Sequence, residues 1–453
     1  MNFTLAKENL NFLPRFYRLS FVSILSNVMV PSAGLCDTAF LGHLKNIQPL
    51  AGVILASILF DYLYRILKFL RNSTNAITSQ AVGQDDPSDI ILAGLRSSLI
   101  AIAISLVILL FQYPIQKLGF AILSSSPGIE ASGIEYFNAR IWGAPAVLLN
   151  LVLIGWFLGR EKNGSVLLIS IIANGFNAFF DYLMIYRWHW ESAGAGIATA
   201  CSQYLALLVG LVIIGFSINW QDAISAVKRL WDRQALQNVV SLNLNILVRF
   251  ITSVSAYSIF TNISAGMGTN ILTENGLLLQ ISLLGQFIIQ GFGMTTQTLT
   301  GNFKGKGEIN NMMPLLTIAI ASGSLIALGF STSVILFPKT IFGILTNHTE
   351  INQEVVNYSL WLMPLITFSA IAYMLEGYFI GLKKGVILRN ASLATFILVF
   401  LPLVTLALYR DSVNLLWFSL VSYMLAMAII LAVQIFSTQA SIQINPTNES
   451  IEN

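Results

Sequence analysis

Apolar residues run through this chain in twelve long stretches, each closed by a short polar break. They lie near 16–42, 50–82, 90–112, 130–159, 164–186 and 193–216, then 239–265, 270–300, 312–336, 352–381, 386–408 and 413–437. Each is as long as the roughly 20 residues an α-helix needs to cross hydrocarbon. The pattern predicts an all-α, polytopic membrane protein with twelve transmembrane helices. The breaks are brief: Gln84-Asp85-Asp86-Pro87, Arg160–Gly164, Asn302–Asn311 and Lys383–Gly385. Residues 1–13 are mixed and polar, Arg15 and Arg18 follow, and the apolar stretch then runs past Thr38. That is too long for a signal-peptide core and predicts a first spanning helix.

The longest central break, 217–238, interleaves Lys228, Arg229 and Arg233 with Val227, Leu230, Trp231 and Leu236. This predicts an amphipathic interfacial helix joining two halves. The halves resemble each other. Gly155-Trp156-Phe157-Leu158-Gly159 recurs as Gly377-Tyr378-Phe379-Ile380-Gly381, an offset of 222 residues. Tyr136, Trp142 and Pro145 are echoed by Tyr358, Trp361 and Pro364, and Gly83 is matched with Gly301 at an offset of 218. The expected organisation is an N-lobe of helices 1–6 (1–216), a cytoplasmic linker (217–238), a C-lobe of helices 7–12 (239–437) and a polar tail (438–453). A six-helix repeat inserts twice in one orientation, so the lobes should be pseudo-symmetric about the membrane normal with a cleft between them. Two such bundles rocking about a cleft suit alternating access.

Composition agrees. Apolar residues make up 55% of 453 and charged residues 10%, against about 25% charged in soluble domains. The net charge of +3 forms no run or face that would suit nucleic acid. Cys36 and Cys201 lie in apolar stretches and predict small buried residues without a disulfide. With the N-terminus inside, thirteen Lys and Arg fall in inner segments and five in outer ones, which places both termini in the cytoplasm.

Ionisable groups at membrane depth carry the candidate chemistry. Asp37 ends the first stretch. Asn174, Asn177 and Asp181 are spaced three and four apart and share one helix face, while Thr199 follows Gly194-Ala195-Gly196, small residues that permit close helix approach. Asp37, Asn177, Asp181 and Thr199 would make an oxygen cage for a hard monovalent cation. Two neighbouring carboxylates resist being ionised together, so the same site could carry a proton. The alternative is a hydrogen-bonded network that only fixes packing. A secondary polar site is expected from Asn174, Arg249, Glu274 and Gln290, with Arg249 pairing with Glu274 across the C-lobe or Glu274 lying in interfacial water. Glu376 should face the cleft or its neighbours. Asp61 and Arg65 read as a structural pair, and Arg71 and Arg140 as snorkelling side chains. Tyr257, Met267, Phe287, Phe292 and Met294, together with Met363, could line an adaptable substrate cleft. His43, His189 and His348 fall near helix ends without metal spacing, so no enzyme activity is expected.

Several segments resemble the DinF branch of the MATE (multidrug and toxic compound extrusion) transporters: Asp37-Thr38-Ala39-Phe40-Leu41-Gly42-His43-Leu44, Phe69-Leu70-Arg71, Thr78-Ser79-Gln80-Ala81-Val82-Gly83, Arg140-Ile141-Trp142-Gly143-Ala144-Pro145, Asn177 with Asp181, and Arg249-Phe250-Ile251-Thr252. The resemblance covers essentially the whole chain and is closer in the N-terminal half. It implies two six-helix lobes and export of amphipathic, often cationic, compounds in exchange for Na⁺ or H⁺. It places the N-lobe cation site on Asp37, Asn177, Asp181 and Thr199. No other metal or cofactor is implied. Expected partners are a small-molecule substrate and the lipid bilayer, with no nucleic acid, for a monomer in a bacterial inner membrane or an organelle membrane of bacterial origin. The chain departs from many relatives at Gln290, where they carry Asp, and at Phe21-Val22-Ser23, where they carry a proline, which argues against a C-lobe carboxylate switch and a helix-1 bending mechanism and leaves only Pro31 to kink helix 1 locally. The rival reading is a flippase or exporter of a lipid-linked or specific metabolite on a related scaffold. A channel or an intramembrane enzyme fits the paired lobes and the histidine positions less well.

Overall fold

Hydrocarbon offers a backbone no outside hydrogen-bond partner, so each long apolar run must satisfy its own amides by coiling into a helix. A computed structural model describes residues 10–29, 32–42, 47–123, 126–345, 356 and 358–444, and these are helical almost throughout, without strands. In order the helices are α1 (Leu13–Val28), α2 (Ser32–Gly42), α3 (Gln48–Leu67), α4 (Phe69–Gly83), α5 (Pro87–Leu110), α6 (Gln112–Ile122), α7 (Pro127–Arg140), α8 (Ala144–Gly159), α9 (Asn163–Asp181) and α10 (Glu191–Ser217). There follow α11 (Trp220–Lys228), α12 (Arg233–Met267), α13 (Thr269–Lys306), α14 (Met312–Leu336), α15 (Pro338–Leu345), α16 (Leu362–Gly381), α17 (Gly385–Thr395), α18 (Leu401–Tyr409) and α19 (Val413–Ile444). Among the described residues, eleven helical stretches are long and apolar enough to cross a membrane. They match the second to twelfth predicted spans.

The first span is interrupted. Its helix stops at Val28 and resumes at Ser32. Pro31, which lacks an amide donor, falls in the gap, outside the described residues. Elsewhere the polar breaks act as helix signals. Asp86 caps α5 by accepting from the amides of Ser88 at 2.9 Å and Asp89 at 3.0 Å, with Pro87 at the first helical position, the expected chemistry of a helix start. Leu106, Leu110, Leu208 and Leu325 remain exposed on long apolar helices, a surface that only lipid solvates well.

Two compact units emerge, residues 25–240 and residues 1–24 with 241–453. This differs from the expected boundaries at both ends. The start of α1 belongs to the second unit because Arg15 donates to Asn302 Oδ1 at 2.9 Å, Tyr17 shares a 3.0 Å hydrogen bond with Ser322, and Phe16 packs on Phe292. The central segment belongs to the first. There the amphipathic helix is α11, capped by Asn219 and shorter than 217–238. The Arg96 guanidinium holds it to α5 by donating to the Arg229 carbonyl at 2.7 Å.

The repeated glycine motif does the same work in each unit. A Cβ on Gly155 would strike the Arg71 carbonyl, and one on Gly159 would lie 2.7 Å from Thr78 Cβ and 2.9 Å from the Asn75 carbonyl. A Cβ on Gly377 would strike the Gly293 carbonyl, and one on Gly381 would lie 2.5 Å from the Gln297 carbonyl and 2.9 Å from Thr300 Cβ. Arg71, Asn75 and Thr78 map onto Gly293, Gln297 and Thr300 at the same offset of 222 as the motif itself. Both α4–α8 and α13–α16 therefore cross backbone to backbone. The constant offset also corrects one equivalence: Gly301 is the counterpart of Ser79, which meets Gly159 as Gly301 meets Gly381, and not of Gly83.

Gly155→Val and Gly377→Val should each destabilise the protein by about 1–3 kcal/mol or more, as overpacked close crossings do. Gly329→Ala, whose Cβ meets nothing within 4 Å, is expected to leave stability unchanged. Thermal unfolding in detergent or nanodiscs distinguishes the two classes.

Candidate functional site

In the unit of residues 25–240, Asp37 on α2 sits where α7, α9 and α10 converge. Gly196 makes the approach of α10 possible, since a Cβ there would lie 2.7 Å from the Tyr136 carbonyl on α7. The α9 spacing brings Asn177 and Asp181 to the same inner face, and a π-helical segment, Tyr182–Arg187, follows Asp181 directly. Such widened turns recur at functional sites. Asp37 is 1% exposed, Thr199 5%, and Asn177 and Asp181 0%.

Three donors converge on Asp37. Asn177 Nδ2 donates to Oδ1 at 3.3 Å, while Thr199 Oγ1 and the Tyr136 hydroxyl donate to Oδ2 at 3.2 and 3.0 Å. Asn177 Nδ2 also lies 3.3 Å from Thr199 Oγ1. Tyr136 is held in turn by Arg140, whose Nη1 donates to the phenol oxygen at 2.6 Å, and by Ser57 at 3.4 Å. Asp181 is treated differently. Its carboxyl lies within hydrogen-bonding reach of Asp37, yet no N–H or O–H donor among the described residues reaches either of its oxygens, nor Asn177 Oδ1. Two carboxylates in such contact repel each other unless a proton or another cation lies with them. The free oxygens are hard donors of the kind that take Na⁺.

The four residues proposed from sequence for the cation site thus meet in one buried cluster. Tyr136, Arg140 and Ser57 were missed. The sequence marks Tyr136 only as part of a repeat and predicts a snorkelling Arg140. Its i,i+4 relation to Tyr136 was the available signal. Arg140 instead stacks 4.6 Å over Phe60. Arg71 does not snorkel either: it is buried and donates to Asn27 Oδ1 at 3.0 Å. Asp61 and Arg65 form no ion pair, and Asp61 is exposed. Asn174 lies outside the cluster, its amide turned back to the Ser170 carbonyl at 2.8 Å.

In the other unit a second polar network forms, but not as expected. Arg249 pairs with Glu376 at 2.6 Å, not with Glu274, and both partners are buried. Glu274 is 2% exposed, so it does not lie in interfacial water. Tyr373 donates to Gln286 at 2.7 Å and is hydrogen-bonded to Gln290, while Gln286 donates to Tyr257 at 2.8 Å. Of the expected cleft residues, Phe292 and Met294 are buried in packing, whereas Tyr257, Met267, Met363 and Phe287 are half-buried. His189 is exposed, and His43 and His348 lie outside the described residues, as does the Cys36 side chain. Cys201 is a free, half-buried thiol. Among the described residues no three or more His, Cys, Asp and Glu side chains gather as ligands of a metal ion.

The duplication seen in the helical scaffold reappears in the family match. Residues 23–183 and 246–406 each match the MatE family model, once per half. The chain belongs to the MatE family. It is a multi-pass membrane protein of the multidrug and toxin extrusion class, with eleven membrane-spanning stretches among the described residues. It is 27% identical to DNA damage-inducible protein F of Escherichia coli (strain K12), covering 83% of this chain and 82% of that one. It is 25% identical to a probable multidrug resistance protein NorM of Rhizobium meliloti (strain 1021), over 75% and 73% of the two chains. The fold matches a MATE crystal structure in the bent conformation with a TM-score of 0.84, at 17% identity and covering 95% and 96% of the chains. A MOP superfamily transporter from Pyrococcus furiosus, described as having a binding pocket of reverse polarity, also gives 0.84, at 16% identity over 94% and 96%.

In this MatE protein, removing one partner of the Arg249–Glu376 pair leaves a buried charge alone. Arg249→Met or Glu376→Gln should cost about 3–5 kcal/mol, and the double variant less than the sum. A double-mutant cycle on thermal or denaturant unfolding measures that coupling.

Proposed function

We propose that this transporter exchanges Na⁺ or H⁺ for amphipathic, often cationic, small organic compounds by alternating access, with the ion seated between Asp37 and Asp181. The observation that carries the reading is the contrast between the two carboxyls: Asp37 accepts from three donors, whereas Asp181 and the Asn177 carbonyl accept from none. A buried carboxylate left without a donor is costly, and a mobile cation removes that cost whenever it is bound. Family membership and relatives described as multidrug resistance and multidrug and toxin extrusion proteins support the substrate class.

In this reading the ion enters from outside, down its gradient, into a bacterial inner membrane protein whose termini lie in the cytoplasm. Binding favours the state with the tighter site, and a ligand shifts such an equilibrium only by its differential affinity for the two states. Substrate release outward and ion release inward then complete the exchange. No further cofactor is required.

Asp37→Asn and Asp181→Asn are each expected to reduce ion-driven efflux from proteoliposomes to the level of protein-free vesicles, while monodispersity and thermal unfolding stay near wild type. Na⁺ and pH gradients are applied separately, so the coupling ion is read from the same assay. Normal transport by either variant would remove that carboxylate from the coupling role.

A further inference from the structure

The coupling reading leaves one charge in the cluster without a task. Arg140 is always protonated at physiological pH, and it forms no ion pair with a carboxylate among the described residues. Its Nη1 donates at 2.6 Å to the Tyr136 hydroxyl, which itself donates at 3.0 Å to Asp37 Oδ2. The guanidinium carbon lies 4.6 Å from the Phe60 ring centroid and 5.4 Å from that of Tyr136, and its Nε is buried without an acceptor. A guanidinium held against two aromatic rings and hydrogen-bonded to a phenol is restrained in place. It therefore stands one hydroxyl away from the carboxylate of the proposed ion site.

Charge counting gives the consequence. Asp37 and Asp181 carry two negative charges when both are ionised, and Arg140 supplies one positive charge. Asp61 also acts on Arg140 electrostatically, but it is exposed and not part of the hydrogen-bonded cluster. The closed cluster is left with one net negative charge. The two carboxylates are also unequal: Asp37 receives the relayed influence of Arg140 through Tyr136, whereas Asp181 has no donor.

We propose that Arg140 is a resident counter-charge that cancels one of the two carboxylates, so that the site takes a single monovalent cation, one Na⁺ or one H⁺, on the Asp181 side. This rests on the coupling reading above and adds to it a stoichiometry and a positioning residue. Without the guanidinium the site would need two positive charges, and it would hold the first more tightly.

The test compares Arg140→Gln, which removes the charge and keeps a hydrogen-bond donor, with Arg140→Lys, which keeps the charge and loses the planar fork. Full-length protein in nanodiscs is titrated with ²²Na⁺ at alkaline pH, and the ions moved per substrate are read from reversal potentials in proteoliposomes. Arg140→Gln is expected to tighten Na⁺ binding roughly tenfold, the size of effect one nearby charge produces, and to raise the number of ions per cycle from one to two. Arg140→Lys is expected to keep a count of one. If the chain binds no Na⁺, the reversal potential under a pH gradient gives the same count for protons. Wild-type affinity and count in Arg140→Gln would overturn the proposal, as would equal changes in both variants, which would implicate the geometry of the fork rather than its charge. Failure of the coupling reading is distinct: Asp37→Asn or Asp181→Asn would then still exchange.

Discussion

An ionised carboxylate inside hydrocarbon must be met by donors or by an opposite charge, because no water is there to solvate it. The arrangement of residues 25–240 around Asp37 follows from that requirement. Two hydroxyls and a carboxamide from three helices converge on it, and a guanidinium stands behind one of the hydroxyls. Asp181, in contact with Asp37 but without donors, is the point at which the fold leaves the requirement unmet. A group in that condition is an invitation to an ion, and binding an ion is a means of changing the relative free energies of two conformations.

Close helix crossings make the convergence possible. Gly196 brings α10 onto α7, so that Thr199 and Tyr136 reach the same carboxylate oxygen, and Gly155 and Gly159 seat α8 on α4. The equivalent crossing of α13 and α16 repeats this at a constant offset. The scaffold was thus duplicated with its backbone contacts intact, while the polar content of the two copies diverged. One unit holds a pair of carboxyls with oxygens to spare, and the other holds a closed Arg249–Glu376 pair with an adjoining tyrosine and glutamine network.

Much of this was legible in the sequence because membrane solvation writes strong patterns. The long apolar runs marked the spans, and the intramembrane polar residues were few enough that Asp37, Asn177, Asp181 and Thr199 could be singled out. What the sequence could not supply was partner choice. Arg249 has Glu274 and Glu376 at comparable plausibility along the chain, and only the folded arrangement, which brings Arg249 to 2.6 Å from Glu376, decides for Glu376. Arg140 and Arg71 carry long stems that can reach an interface or turn inward, and neighbouring aromatic and amide groups decided that they turn inward. The split of α1 between two units depends on contacts of Arg15, Phe16 and Tyr17 with residues about three hundred positions away, which periodicity does not encode.

The central claim, that two adjacent carboxyls share one exchangeable positive charge, is tested most directly by infrared difference spectroscopy of the full chain in lipid. The account predicts a protonated-carboxyl band that disappears either when pH is raised without Na⁺ or when Na⁺ is added at constant pH, and that is missing when Asp181 is replaced by Asn. A spectrum in which no carboxyl band responds to either ion would contradict it.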